Sequence, residues 1–210
     1  MAAWHALRGA IEGEVVLPES DGYDLLRTPP MARFRDVRPA AIVRCRTAAD
    51  VAQALAFARG CGLEVAVRSG GHCFAGGSST RGLLMDVGPM NGVSLAGEIA
   101  TVGAGARLGE IYDALARDGR TIAGGCGPTV GIAGLALGGG LRILGRTHGL
   151  TSDQLVAAEV DPWGTGGAYA NFPDADLGPW DPAYHGANLD RLLEVKARYD
   201  PEDIFGAPHG

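Results

Sequence analysis

The chain has 210 residues, of which 34 are glycine and 12 proline, a glycine share more than double the ~7% of average proteins. No Gly-X-Y period runs through it. Hydrophobic residues at 46% against charged ones at 20% also exclude a disordered chain, which lacks the apolar surface to offset its conformational entropy. Eighteen basic against 24 acidic residues leave a net charge of −6, which argues against nucleic acid as a partner, since phosphate contacts need a basic face. Glu12 and Glu14 interrupt the stretch where a signal peptide would be apolar, and no apolar run reaches the ~18 residues of a membrane span. The cysteines Cys45, Cys61, Cys73 and Cys126 form no C-x-x-C pair. These features predict a soluble cytoplasmic protein with reduced thiols, no metal site, no nucleic acid and no membrane partner.

The first forty residues carry turn signals (Pro18, Asp21-Gly22, Pro29-Pro30, Pro39) and little periodicity. Ala40–Arg44 reads as a short buried strand. Thr47 with Asp50 forms a capping box, and Val51, Ala54, Leu55 and Ala58 follow at helical spacing up to Gly60 or Gly62. Leu63–Arg68 is a second strand running into SGGHCFAGGSS, a loop by composition, and Leu83–Val87 is a third. Ile99–Val102 begins a new stretch in the second lobe. Leu108, Ile111, Tyr112 and Leu115 then share one helical face closed by Gly119. Thr121–Ala123 and Leu155–Val160 read as strands flanking the densest glycine segment, 124–149, where ten of 26 residues are glycine. An amphipathic helix over about 187–199 ends at Asp200-Pro201. The pattern predicts two αβ lobes, about 1–90 and 91–160, and a tail.

Glycine at this density brings backbone close to a ligand, and three common glycine motifs fail on the letters. No Gly-Lys pair exists for a Walker loop, because Lys196 is the only lysine. Gly103-Ala104-Gly105 begins a dinucleotide fingerprint but has Leu108 where the third glycine belongs. Gly76-Gly77-Ser78-Ser79-Thr80 lacks the closing glycine of a nucleophile elbow. What remains is Arg68-Ser69-Gly70-Gly71-His72-Cys73 at a strand end. There, successive glycines let backbone N–H groups converge on an anion such as a pyrophosphate, with Ser69 and Ser78 as hydroxyl donors. A wide turn with a surface histidine is the bland alternative.

Three segments together, VRSGGHCFAGGSS, TVGAGARLGEIYDAL and GGCGPTVGIAGLALGGG…GRTHGLTSDQLVAAEV, resemble the FAD-binding region of berberine-bridge-enzyme-like oxidases. These are members of the vanillyl-alcohol-oxidase superfamily with a PCMH-type FAD domain. The tail YANFPDADLGPW…YHGANLDRLLEVKARYDPEDIF resembles the family's C-terminal segment. The resemblance implies an α+β fold of two lobes with a helical tail returning to the flavin. It also implies a division into an N-terminal segment 1–38, an FAD-binding domain 39–160 (lobes 39–90 and 91–160), a linker 161–168 and a berberine-bridge-like segment 169–210. It further implies FAD as cofactor, linked through His72 to the flavin 8α-methyl and through Cys126 to C6. Arg68–Cys73 and Ser78 would hold the pyrophosphate, though Cys73 also reads as packing. Thr129, Val130, Gly131, Gly134, Gly138, Gly139 and Gly140 would line the ribityl chain and ring, with Val160 by the adenine and Asn171 by the ring. His148 and His185 read as structural.

Two departures qualify the activity. Family members place a substrate-binding domain between the equivalents of Val160 and Tyr169, where this chain has eight residues, 161–168. Phe172 stands where several members carry a tyrosine base, and it cannot take a proton; no catalytic residue is assigned. Arg142, where glycine is usual, is a smaller departure. The expected function is hydride transfer from an alcohol-type substrate of unknown identity to covalent FAD, with oxygen as acceptor. The alternatives are a flavin-binding remnant without catalysis, or an interaction module using the uncovered flavin face. Exposed apolar surface predicts self-association.

Overall fold

A computed structural model describes residues 2–141, 149–156 and 189–201. The expectations on Arg142, His148, Val160, Asn171, Phe172 and His185 lie outside the described residues.

The first lobe is a four-stranded sheet in the order β1-β2-β4-β3, from β1 (Glu14–Val16), β2 (Ala41–Arg44), β3 (Val65–Arg68) and β4 (Leu83–Asp86). β1 pairs antiparallel with β2, while β4 lies parallel to both β2 and β3. The expected β-α-β unit is therefore split, with the third strand inserted between the first two. β2 and β4 show no polar alternation because both their faces are covered. On one face Val15, Ala41, Val43, Val65, Leu83 and Met85 meet Leu7 of α1 (Ala2–Ala10) and Ala54 and Ala58 of α3 (Ala48–Cys61). On the other, Val16, Ile42, Ala66 and Leu84 meet Tyr23 of α2 (Tyr23–Arg27).

α1, β1 and α2 correct the expectation of an irregular N-terminus. Their apolar residues are too few per element for periodicity to register, yet they close the sheet edge and cover both faces. At the start of α3, the Thr47 hydroxyl accepts from the Asp50 N–H at 3.1 Å, as the capping box requires. The Asp50 carboxylate is buried and accepts from the N–H groups of Arg46 and Glu12, each at 2.8 Å. It thereby ties the α1–β1 connection to the helix N-terminus. Gly62, at φ 63°, terminates α3, and the Leu63 N–H returns to the Ala58 carbonyl.

The second lobe opens with a hairpin of β5 (Val93–Ala96) and β6 (Ile99–Val102). β5 has no separate sequence signal, since its alternation is only four residues long. α4 (Leu108–Ala116) and α5 (Ile132–Leu137) complete the core, in which Leu108, Ile111, Leu115 and Leu135 are buried against the hairpin side chains. Thr121–Ala123 is not a strand, and neither are Leu155 and Val156. Among the described residues the Ala123 carbonyl accepts from the Thr151 hydroxyl and its N–H donates to the Gln154 amide oxygen. The tail helix α6 spans Leu189–Tyr199, within the expected 187–199, of which 187 and 188 lie outside the described residues. Among the described residues no helix is long and apolar enough to cross a membrane.

Candidate FAD-binding site

Both lobes turn glycine-rich loops toward one seam. Gly103 and Gly105 lie on backbone: their N–H groups donate to Gly92 and Met90 carbonyls at 2.8 and 2.9 Å, and an added Cβ would collide with Met90 O and Val87 O. The near-miss of a dinucleotide motif is therefore a packing seam between the lobes. A second close approach joins Gly70 to Gly131, where a Cβ on either would collide with the backbone N of the other. Arg107 and Gly131 form an isolated bridge, with Leu108 N–H donating to Val130 O and Ile132 N–H to Ala106 O. The loop 127–131 is thus fixed to the start of α4 while it touches the loop after β3.

Arg68, at the end of β3, is buried. Its guanidinium donates to the carbonyls of Ser78, Leu26 and Arg27 at 2.8–2.9 Å and to the Ser79 hydroxyl at 3.1 Å. Burial lowers its pKa to about 10, partly offset by Asp86. Its donors face protein, so it braces the loop from both flanks. The N-terminal segment supplies further support, because Pro30 packs against Gly71 and the Phe34 ring against Gly76. These residues escaped sequence reasoning, for their contacts are side chain to glycine across more than forty positions and leave no local pattern.

Ser69 directs its hydroxyl to the Ala104 carbonyl at 2.8 Å, and Cys73 is buried, its sulfur accepting from the Gly77 N–H. Neither side chain is free for a ligand. The backbone differs: none of the N–H groups of residues 69–73 donates to a protein acceptor among the described residues, although Gly71 and Cys73 are buried. Buried N–H groups are nearly always paired, and consecutive free ones form an anion-binding concavity. That donor set fits the pyrophosphate of FAD.

His72 is half-buried, with Nε2 2.9 Å from Thr129 Oγ1. Burial, and then the nearby Arg107 charge, hold its pKa below the usual histidine value, so the ring is neutral at pH 7 and able to act as a nucleophile. Cys126 lies exposed on the same loop as Thr129. Beside it a cleft of about 400 Å³ is lined by Tyr112 and residues 121–126. The Tyr112 hydroxyl donates to Gly125 O at 2.6 Å, and burial, then the Cys126 sulfur, raise its pKa. Gly134 sits within α5, Gly138 ends it, and Gly139 and Gly140 follow with positive φ. The structure thus gathers Ser69–His72, Thr129 and Gly131 at one seam.

Residues 39–165 match the FAD binding domain family and 168–210 the berberine and berberine-like family. (R)-6-Hydroxynicotine oxidase of Paenarthrobacter nicotinovorans is 37% identical over 154 residues, 72% of this chain and 33% of that protein. The crystal structure of 6-hydroxy-D-nicotine oxidase from Arthrobacter nicotinovorans superposes with a TM-score of 0.66 over 68% of this chain and 32% of that one, at 37% identity. Glucooligosaccharide oxidase from Acremonium strictum, which carries a 6-S-cysteinyl, 8α-N1-histidyl FAD, gives a TM-score of 0.66 at 31% identity over 73% of this chain and 33% of its own. The chain spans about a third of the length of these relatives. With family matches over both the glycine-rich lobes and the tail, it belongs to the berberine-bridge-enzyme-like family of FAD-binding oxidoreductases.

Proposed function

We propose that the chain holds FAD covalently, through His72 and Cys126, in an oxidoreductase that takes hydride from an alcohol-type substrate and passes electrons to oxygen. The observation that carries this reading is the seam itself: a run of amides at 69–73 with no protein acceptor among the described residues, beside a half-buried His72 whose pKa burial lowers, with an exposed cysteine on the facing loop. The same two residue types link the flavin of glucooligosaccharide oxidase. When bound, the flavin supplies the hydride acceptor and the route to oxygen. The protein residues bind and orient it: amides 69–73 hold the pyrophosphate, and the loops through Thr129–Gly131 and Gly138–Gly140 approach the ribityl chain and ring. The reading also assigns Val160 and Asn171, outside the described residues, to the cofactor. The division into an FAD-binding domain 39–160, a linker 161–168 and a tail segment 169–210 belongs to this reading.

A second reading, a flavin-holding remnant without substrate chemistry, is favoured by one observation. The FAD-domain match ends at 165 and the berberine-like match begins at 168, which leaves no room between them for a substrate-binding domain. Absorbance and mass of the purified, acid-denatured protein test the first element of both readings; the expected result is a yellow chain with an FAD adduct. Anaerobic bleaching of that flavin by a panel of alcohols and sugars then separates oxidase from remnant.

A further inference from the structure

In the glycine pattern Thr129 counts only through its backbone, but its side chain is what touches His72. Nε2 of His72 lies 2.9 Å from Thr129 Oγ1, and Nδ1 has no hydrogen-bond partner among the described residues. A neutral imidazole carries one N–H and one lone pair, and the partner of the first decides where the second sits. Only the nitrogen with the lone pair can form a bond to carbon. The Thr129 loop is held by the second lobe through Leu108 N–H to Val130 O, at 3.0 Å, and Ile132 N–H to Ala106 O, at 2.9 Å. Threonine is also stiff at χ1. Its hydroxyl is therefore a fixed point against which a ring from the other lobe is aligned.

We infer that Thr129 is a positioning residue for cofactor attachment: its Oγ1 accepts the Nε2–H of His72 and so directs bond formation to Nδ1. The inference rests on the reading that His72 carries the flavin, and it agrees with the N1 linkage of glucooligosaccharide oxidase. Joining Nδ1 to the 8α carbon forms one C–N bond and releases one proton from the 8-methyl group and one from Nε2–H. Two electrons are left on the flavin, which dioxygen removes with two protons as hydrogen peroxide. Thr129 Oγ1 accepts the hydrogen bond from Nε2–H before attachment, and the Nε2 proton released on attachment passes to water.

The test uses the full chain carrying Cys126→Ala, so that only the histidyl bond retains flavin after denaturation. Apoprotein is loaded with FAD, acid-stable flavin is followed over time, and the N1 and N3 isomers of the released histidyl-flavin peptide are separated. The parent and Thr129→Ser should form the N1 isomer, while Thr129→Val, of the same shape without the hydroxyl, should attach at least about ten-fold more slowly or give both isomers. A Thr129→Val chain that attaches at the parent rate, through Nδ1 alone, overturns the inference. Nitrogen-15 NMR of His72 in the apoprotein is independent of loading and of that variant's folding: an Nε2–H tautomer supports the inference and an Nδ1–H tautomer overturns it. Absence of histidyl-flavin in the parent together with an Nε2–H tautomer would instead sink the reading that His72 carries the flavin.

Discussion

At the residue scale, the proposed attachment of flavin rests on His72 and Cys126, and the close approach of the two loops rests on Gly70 and Gly131. His72→Ala with Cys126→Ala should leave no flavin on the acid-denatured chain, whereas each single variant should keep one bond; mass spectrometry of the denatured protein decides. Burial and the Arg107 charge lower the His72 pKa, so the neutral ring persists to lower pH than in free histidine, near 6.5. The rate of attachment should therefore stay flat as pH falls through that value and drop only below it. The sign for stability is opposite in use: the unfolded chain binds the proton more readily, so stability rises with pH up to about 6.5 and is lost toward acid. Gly70→Ala and Gly131→Ala each place a methyl group into the facing backbone and should cost about 1–3 kcal/mol, as overpacking does. Gly60→Ala, in α3 with open space around it, should instead stabilise by about 0.5–1 kcal/mol. Urea denaturation of the three variants compares them directly.

At the element scale, the N-terminus of α3 joins local and long-range structure. Thr47→Ala should cost about 1 kcal/mol through the lost cap. Asp50→Asn should do more to acid sensitivity than to the helix. Burial pushes the Asp50 pKa up, but N–H donation from Arg46, Glu12 and Thr47 outweighs it and the net shift is down. Stability from this carboxylate is full above the unfolded value, about 3.9, and is lost as pH falls through the lower folded value. The Asn variant should lose that part of the acid transition in a pH titration of urea midpoints. β2, α3, β3, β4 and α4 were legible in the sequence because each carries a cap, a period or a buried run within its own length. Thr121–Ala123 has the letters of a strand, but among the described residues the Ala123 N–H and carbonyl bond the Gln154 and Thr151 side chains.

At the scale of the whole molecule, the N-terminal segment and the two lobes form one support for the cofactor loop. Arg68→Met keeps a long apolar stem but abandons the carbonyls of Leu26, Arg27 and Ser78. It should loosen the loop, giving faster hydrogen exchange at 69–79 and slower flavin loading, while the sheet remains. Leu137, Leu141 and Val156 are 53%, 62% and 78% exposed. Apolar side chains this open predict self-association, read as a concentration-dependent sedimentation coefficient that falls when all three are changed to serine.

The sequence by itself determined the family, the α+β class and the residue types at the seam, because these reside in contiguous motifs: SGGHC after a strand and GGCGPTVG before a helix. Tertiary structure alone decided what each motif does. It turned Arg68 and Ser69 inward to protein, left the amides of 69–73 without protein acceptors among the described residues, made Gly103 and Gly105 a lobe junction, and set Thr129 against His72 across 57 positions of chain. The reason is physical: a local pattern specifies which backbone shapes are cheap, whereas hydrogen-bond partners and close approaches are set by whichever distant segment the packed core brings alongside.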